Sequence, residues 1–235
     1  MAQTAQPAGR SSGKPGRDCS RCPRLVDFRN TWRGREPQWF NAPVASFGPI
    51  DASLLIVGLA PGLRGANRTG RPFTGDYAGD LLYATLLQFG LARGSYRADP
   101  QDGLELIDCR ITNAVRCVPP ENKPTPQEIN TCRDFLVATI KEMPRLRAVV
   151  ALGRIAHDTV VVASGGRRSE FPFGHGKRHA LGALTLVDSY HCSRYNTNTG
   201  VLTPQMFYAA IGEARNAAQG AGAVTPRAQA VTRTT

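Results

Sequence analysis

The sequence predicts an α/β fold, three layers deep, with a central, mostly parallel sheet of four strands between helices. Three observations predict it: four short branched apolar runs, a segment of helical period after each, and Gly or Pro punctuation between them. Strands alternating with helices call for parallel pairing through crossovers, which place helices on both faces of the sheet.

The first strand is expected at 53–57 (SLLIV), an unbroken apolar run that stops at GLAPG. Leu81, Leu82, Thr85, Leu86 and Phe89 then recur at helical spacing and end at Gly90. The second strand lies within 106–115 (CRITNAV at its centre). A helix follows over 126–143, opened by Thr125 as N-cap, Pro126 at the first position and Glu128 for a capping box. The third strand is 147–152, stopped by Gly153 and followed by a helix through Ile155 to Val162. The fourth is 184–188, and Thr203 with Pro204 opens a last helix that runs to about residue 216. In such sheets ligands bind at the carboxyl ends of the strands, so the polar segments after strands one, two and four are expected to converge.

The chain has 235 residues, with 29 Lys and Arg against 18 Asp and Glu, a formal charge of +11. This length supports a core without disulfides or metal. No apolar run approaches the roughly 18 residues of a spanning helix, and the opening segment lacks the apolar stretch of a secretory signal. A cytoplasmic monomer is expected, folded over 18–216, with disordered tails at 1–17 and 217–235 rich in Gly, Ala, Pro, Ser, Thr and Gln. The positive balance suggests a polyanionic partner.

Six cysteines without an export signal point to thiols kept reduced. Cys19 and Cys22 form C-x2-C, and Cys117 and Cys132 lie 15 apart. Four thiolates can hold a [4Fe-4S] cluster or a zinc ion. Zinc ribbons usually bring two C-x2-C knuckles, so a single one leans toward iron and sulfur. Cys109 reads as a core residue. Cys192 beside His191 is a poor nucleophile candidate, because neighbours on an extended strand face opposite ways.

Three loops carry the candidate chemistry. GLAPGLRGANRTGRPFTGD at 58–76 has five Gly, three Arg, one Phe and a terminal carboxylate, and matches neither of the common nucleotide-binding Gly-rich motifs. TNAVRCVPPENKPTP brings Asn113 out of the second strand with an amide donor and a carbonyl acceptor. DSYHCSRYNTNTG at 188–200 brings His191, Ser193, Arg194 and Asn196. Of the other histidines, His157 falls within a helix, and His175 and His179 share a basic loop suited to phosphate contact or to none.

Together these segments resemble the uracil-DNA glycosylase superfamily, in its iron-sulfur branch. The resemblance spans about residues 18–212, through the four cysteines, GLAPG, FTGD at 73–76, TNAVRC with its PP-x-NKP continuation, and His191 to Asn196 followed by NTG. GLAPG with ANRTGRPFTGD is closer to family 5 than to family 4. The departure is Cys192, where the family commonly has proline.

The resemblance implies a monofunctional hydrolase of N-glycosidic bonds that acts in DNA repair, removing uracil and other deaminated bases such as hypoxanthine. It implies Cys19, Cys22, Cys117 and Cys132 as ligands of a [4Fe-4S] cluster that braces the second motif. It implies Phe73 as the ring on which the base stacks, Asn113 as reader of the base edge, His191 as donor to the leaving base, and Asp76 as the group orienting water. Gly58, Leu59, Ala60 and Gly62 would line the base pocket. Arg64, Arg68, Arg71, Ser193, Arg194, Asn196 and the basic loop at 167–179 would meet DNA. A lesion-binding protein without turnover and a zinc-stabilised nucleotide-binding protein are the alternatives.

Overall fold

The structure is a computed structural model that describes residues 14–220. Most of each expected tail, 1–13 and 221–235, lies outside these residues. The strands are β1 (Leu54–Gly58), β2 (Ala92–Arg93), β3 (Glu105–Leu106), β4 (Cys109–Asn113), β5 (Ala148–Leu152), β6 (Arg178–Leu181) and β7 (Leu184–Ser189). The helices are α1 (Pro23–Arg35), α2 (Ala66–Thr69), α3 (Tyr77–Gln88), α4 (Pro126–Glu142), α5 (Arg154–Ala163), α6 (Arg194–Asn198) and α7 (Pro204–Gln219).

The main sheet has the order β4-β1-β5-β7-β6. The first four strands run parallel, and β6 pairs antiparallel with β7. Five strands rather than the expected four is a correction. The extra strand is the polar RHAL segment, joined to β7 through Gly182 and Ala183 with Gly182 at φ 63, a turn in which glycine is the favoured first residue. Its alternating exposure suits an edge strand that needs little apolar content. β2 and β3 form a separate short ribbon.

Side chains alternate across the sheet and build two cores. Leu54, Ile56, Val150, Leu152 and Val187 pack with Leu82 and Leu86 of α3 and Phe207 and Ile211 of α7. Leu55, Val57, Val149, Ala151 and Leu186 pack with Leu136 of α4 and Val160 and Val161 of α5. This is the predicted three-layer arrangement.

The helix starts follow their sequence signals. Thr125 and Glu128 form a reciprocal capping box on α4, and Thr203 accepts from the Met206 amide on α7. α7 runs on to Gln219, three residues past the expected end. The outer edge of β4 is covered by a bridge from Phe47 to Ile111, which hides its open hydrogen-bonding groups. β1, β4 and β7 end on the same side, so Gly58, Asn113 and the chain after Ser189 meet there.

Candidate active site

A cavity of about 380 Å³ opens at that side of the sheet, within the range typical of small-molecule sites. Leu59, Ala60, Gly62, Phe73, Asp76, Asn113, His191, Ser193 and Arg194 all line it. Three segments far apart in sequence therefore supply one wall each.

Gly58 and Asn113 are register partners across β1 and β4. A Cβ on Gly58 would stand 2.5 Å from Asn113 Oδ1 and 2.6 Å from Phe73 Cζ, so only glycine leaves room for both side chains. Asn113 Oδ1 is buried and has no hydrogen-bond partner. A buried carbonyl oxygen without a donor is costly and marks a place where a ligand can donate.

Phe73 sits at φ 52, an uncommon backbone state for a bulky residue. The turn is held from several sides: Tyr83 Oη donates to the Pro72 carbonyl at 2.6 Å, Tyr96 Oη to the Phe73 carbonyl at 3.1 Å, and Thr69 Oγ1 to the Thr74 carbonyl at 3.0 Å. The Phe73 ring is thereby set 5.9 Å from the His191 ring, at an interplanar angle of 28°.

Asp76 is the N-cap of α3 and accepts from the Gly79 amide at 3.3 Å. Burial raises the pKa of its carboxyl above the ordinary range, with the amide hydrogen bonds of Gly79 and Ala78 opposing. Its Oδ2 would lie 2.9 Å from a Cβ on Gly62 and closer still to one on Gly65, so the glycines of the first loop make space for this carboxylate. Burial pushes His191 down to about 4, which keeps its imidazole neutral near pH 7. Cys192 is fully buried, with Sγ 3.5 Å from the Ala78 carbonyl, and burial raises its thiol to about 12. It is inert packing, as the sequence suggested.

Several expected contacts are corrected. Arg71, expected at a DNA surface, is 5 % exposed. Its guanidinium forks onto Asp102 with both bonds at 2.8 Å and donates to Thr74 Oγ1 at 2.7 Å, so it braces the Phe73 turn from inside. Asn196, expected at DNA, is part-exposed, and its Nδ2 donates to the His191 carbonyl at 2.8 Å. His179 lies on β6, buried, with its Nε2 on Asp188 rather than in a basic loop. Arg64, Arg68 and Arg194 are exposed, as a polyanion contact requires.

Sequence reasoning missed Tyr77 and Asn122, which also line the cavity. Tyr77 lies under the Arg194 guanidinium at 5.3 Å. Asn122 closes a short 3-10 turn, Pro120–Asn122, at φ 56. The NKP that follows the double proline was the available signal, since Asn tolerates this backbone state.

Cys19, Cys22, Cys117 and Cys132 line a second, small cavity beside α1 and α4. Two buried arginines face them: Arg29 Nη1 lies 3.7 Å from Cys117 Sγ, and the Arg116 amide donates to Cys132 Sγ at 3.3 Å. Nε of both arginines is buried without a partner. Burial pushes Cys117 up to about 12 and Cys132 up to about 11, so as free thiols they stay protonated, and a metal must displace those protons. Thiolates here would give the buried Arg29 guanidinium a negative partner and accept from the Arg116 amide, so the donor set fits a metal group. Among the described residues, three or more ligand atoms within 4.8 Å of one another occur at His157, His179 and Asp188 and not at these cysteines.

Comparison with known proteins agrees with this architecture. A family model described as the uracil DNA glycosylase superfamily matches residues 45–215. The type-5 uracil-DNA glycosylase of Thermus thermophilus is 45% identical over 207 residues, covering 85% of this chain and 94% of that protein. The type-5 enzyme of Pyrobaculum aerophilum is 40% identical over 79% of this chain and 83% of its own length. A type-4 uracil-DNA glycosylase of Archaeoglobus fulgidus matches over 48% of this chain at 38% identity. A match that embraces all three cavity-lining segments, at such identity over most of both chains, assigns this protein to the uracil-DNA glycosylase superfamily.

Proposed function

We propose that this protein is a DNA-repair glycosylase that flips uracil out of DNA and hydrolyses its N-glycosidic bond, leaving an abasic site. The observation that carries this is the convergence of Phe73, Asn113 and His191 on one cavity. A base cannot be reached within the stack, so it must enter a pocket with a ring to stack on and amides to read its edge. Phe73 is that ring. Asn113 Oδ1, buried without a donor, takes the N3–H of uracil while Nδ2 donates to O4.

Cleavage leaves positive charge on the sugar and sends the bonding pair of C1′–N1 to the base. The neutral His191 ring donates to the base oxygen where that charge collects, which can stabilise the transition state by about 2–4 kcal/mol. The Asp76 carboxylate orients water toward C1′, takes its proton as the bond forms, and faces the developing sugar cation. The Gly62 backbone is its partner in holding the water. Among the described residues no lysine lines the cavity; in this reading water is the nucleophile and the enzyme is monofunctional.

Leu59, Ala60 and Gly62 form a wall without a polar side chain, suited to hypoxanthine and other deaminated bases as well as uracil, and Gly58 acts behind it by leaving room for Asn113 and Phe73. Arg64, Arg68, Ser193 and Arg194 meet the phosphates, with a steep salt dependence. Cys19, Cys22, Cys117 and Cys132 hold a [4Fe-4S] cluster, which when bound supplies iron-thiolate bonds that tie the N-terminal segment to the second motif. No helix among the described residues is long and apolar enough to cross a membrane; the reading is of a monomer that works on cytoplasmic DNA. Incubation with an oligonucleotide carrying one uracil, followed by alkali, tests the proposal. Scission at the uracil is expected, and an intact strand would overturn it.

A further inference from the structure

A polar network in the core lies outside the cavity and centres on Asp188, fully buried in β7. His157 Nδ1 lies 2.6 Å from Asp188 Oδ1, and His157 Nε2 lies 2.7 Å from the Phe171 carbonyl oxygen. A carboxylate and a carbonyl both accept, so both ring nitrogens carry protons and the ring is an imidazolium. Burial alone would lower its pKa, yet the hydrogen bond and charge of Asp188, the Phe171 carbonyl and the nearby Asp158 outweigh that and raise it. His179 Nε2 donates to Asp188 Oδ2 at 3.0 Å, and the Gly174 amide donates to the same oxygen at 3.1 Å. These direct bonds account for the three close ligand atoms without an ion between them.

The Asp188 backbone holds the same loop. Its amide donates to the Lys177 carbonyl at 2.9 Å, and its carbonyl accepts from the Gly176 amide at 2.8 Å. Between Gly174 and Gly176, both held by Asp188, stands His175, whose Nδ1 accepts from the Tyr190 amide at 3.0 Å. The His175 ring stacks on Tyr190 at 5.0 Å and 20°. Tyr190 is the residue before His191.

We propose that Asp188, His157 and His179 form a positioning unit that acts through residues 174–177 and His175 on the Tyr190 backbone, and so sets the His191 ring in the cavity. The activity arm of its test rests on the glycosylase reading; the spectroscopic arm does not. His175→Phe keeps a ring over Tyr190 but removes the acceptor, and it is expected to lower kcat on a uracil oligonucleotide about tenfold with KM nearly unchanged. His175→Asn returns an acceptor at the position of Nδ1 and recovers most of the loss. In ¹⁵N-histidine NMR, His157 carries two ring protons at neutral pH, and Asp188→Asn, whose amide can donate to Nδ1, leaves it one. The His191 ring signals shift in His175→Phe while the melting temperature holds. Wild-type kcat in His175→Phe, or a singly protonated His157 in the wild type, overturns the proposal. If the wild type cleaves no uracil strand, the glycosylase reading falls, and the NMR shifts alone decide the positioning unit.

Discussion

Gly58 and Asn113 face each other across β1 and β4, and the side chain that Gly58 lacks is the space in which the Asn113 amide and the Phe73 ring meet. A tight backbone approach thus shapes one wall of the cavity region at the end of two parallel strands. That wall depends on the sheet, because a slip of one residue in the register would turn Asn113 to the other face.

Gly58→Ala is therefore expected to lose more function than stability. The added methyl must displace Asn113 or Phe73, at a cost of about 1–3 kcal/mol, and kcat/KM on a uracil oligonucleotide should drop at least tenfold, by about the factor such a misplacement brings. Asn113→Asp replaces the donor toward O4 by a second acceptor. Uracil preference should be lost in a panel of deaminated bases, and an unchanged preference would remove Asn113 from the reading role.

Asp76 caps α3 and, in the proposed mechanism, orients water, and substitutions can separate the two. Asn caps a helix about as well as Asp, whereas Ala costs about 1 kcal/mol. Asp76→Asn should keep the melting temperature and lower single-turnover rate by roughly 10²–10⁴. Asp76→Ala should show a similar loss of rate and a lower melting temperature as well.

Asp76 and His191 together give a one-sided pH profile. Water orientation needs the Asp76 carboxylate, whose pKa is raised by burial, so rate should fall with acid at a pH above the ordinary carboxylate range. His191 is neutral down to about 4 and adds no limb near neutrality. The profile of kcat against pH should keep its acid limb in His191→Gln, at a lower plateau.

Arg71 and Asp102 form a buried fork, with side chains 6% and 0% exposed. Arg71→Met leaves Asp102 uncompensated and should destabilise by about 3–5 kcal/mol, read by denaturant unfolding. The fork, with the Arg97 and Leu104 amides, holds Asp102 well below the usual carboxylate range. Its contribution is full above about pH 4 and fades only as pH falls toward the depressed value. DNA affinity per folded molecule should hardly change.

Cys117→Ser should abolish visible absorption and acid-labile sulfide in purified protein, and lower the melting temperature. α1 has independent ties to α4, through Arg24 on Glu128 at 2.8 Å, so partial folding of the domain should survive. Stoichiometric zinc with no sulfide would replace iron in the assignment.

What the sequence alone determined is whatever is written locally. Apolar runs such as LLIV and AVVAL read as buried strands, and Thr125 with Pro126 and Glu128 as the start of a helix, and each formed as written. The resemblance carried by GLAPG, TNAVRC and the His191 segment extended this to the site. Tertiary structure decided the rest. Arg71 and Arg68 stand three apart in one basic loop, yet one is buried because Asp102 waits 31 residues away and the other reaches solvent. His157, an ordinary helix residue by sequence, has its pKa raised despite burial because β7 brings Asp188 beside it and a turn of loop brings the Phe171 carbonyl. The sign and worth of a charge depend on its neighbours in space, and no local pattern states which distant residue those will be.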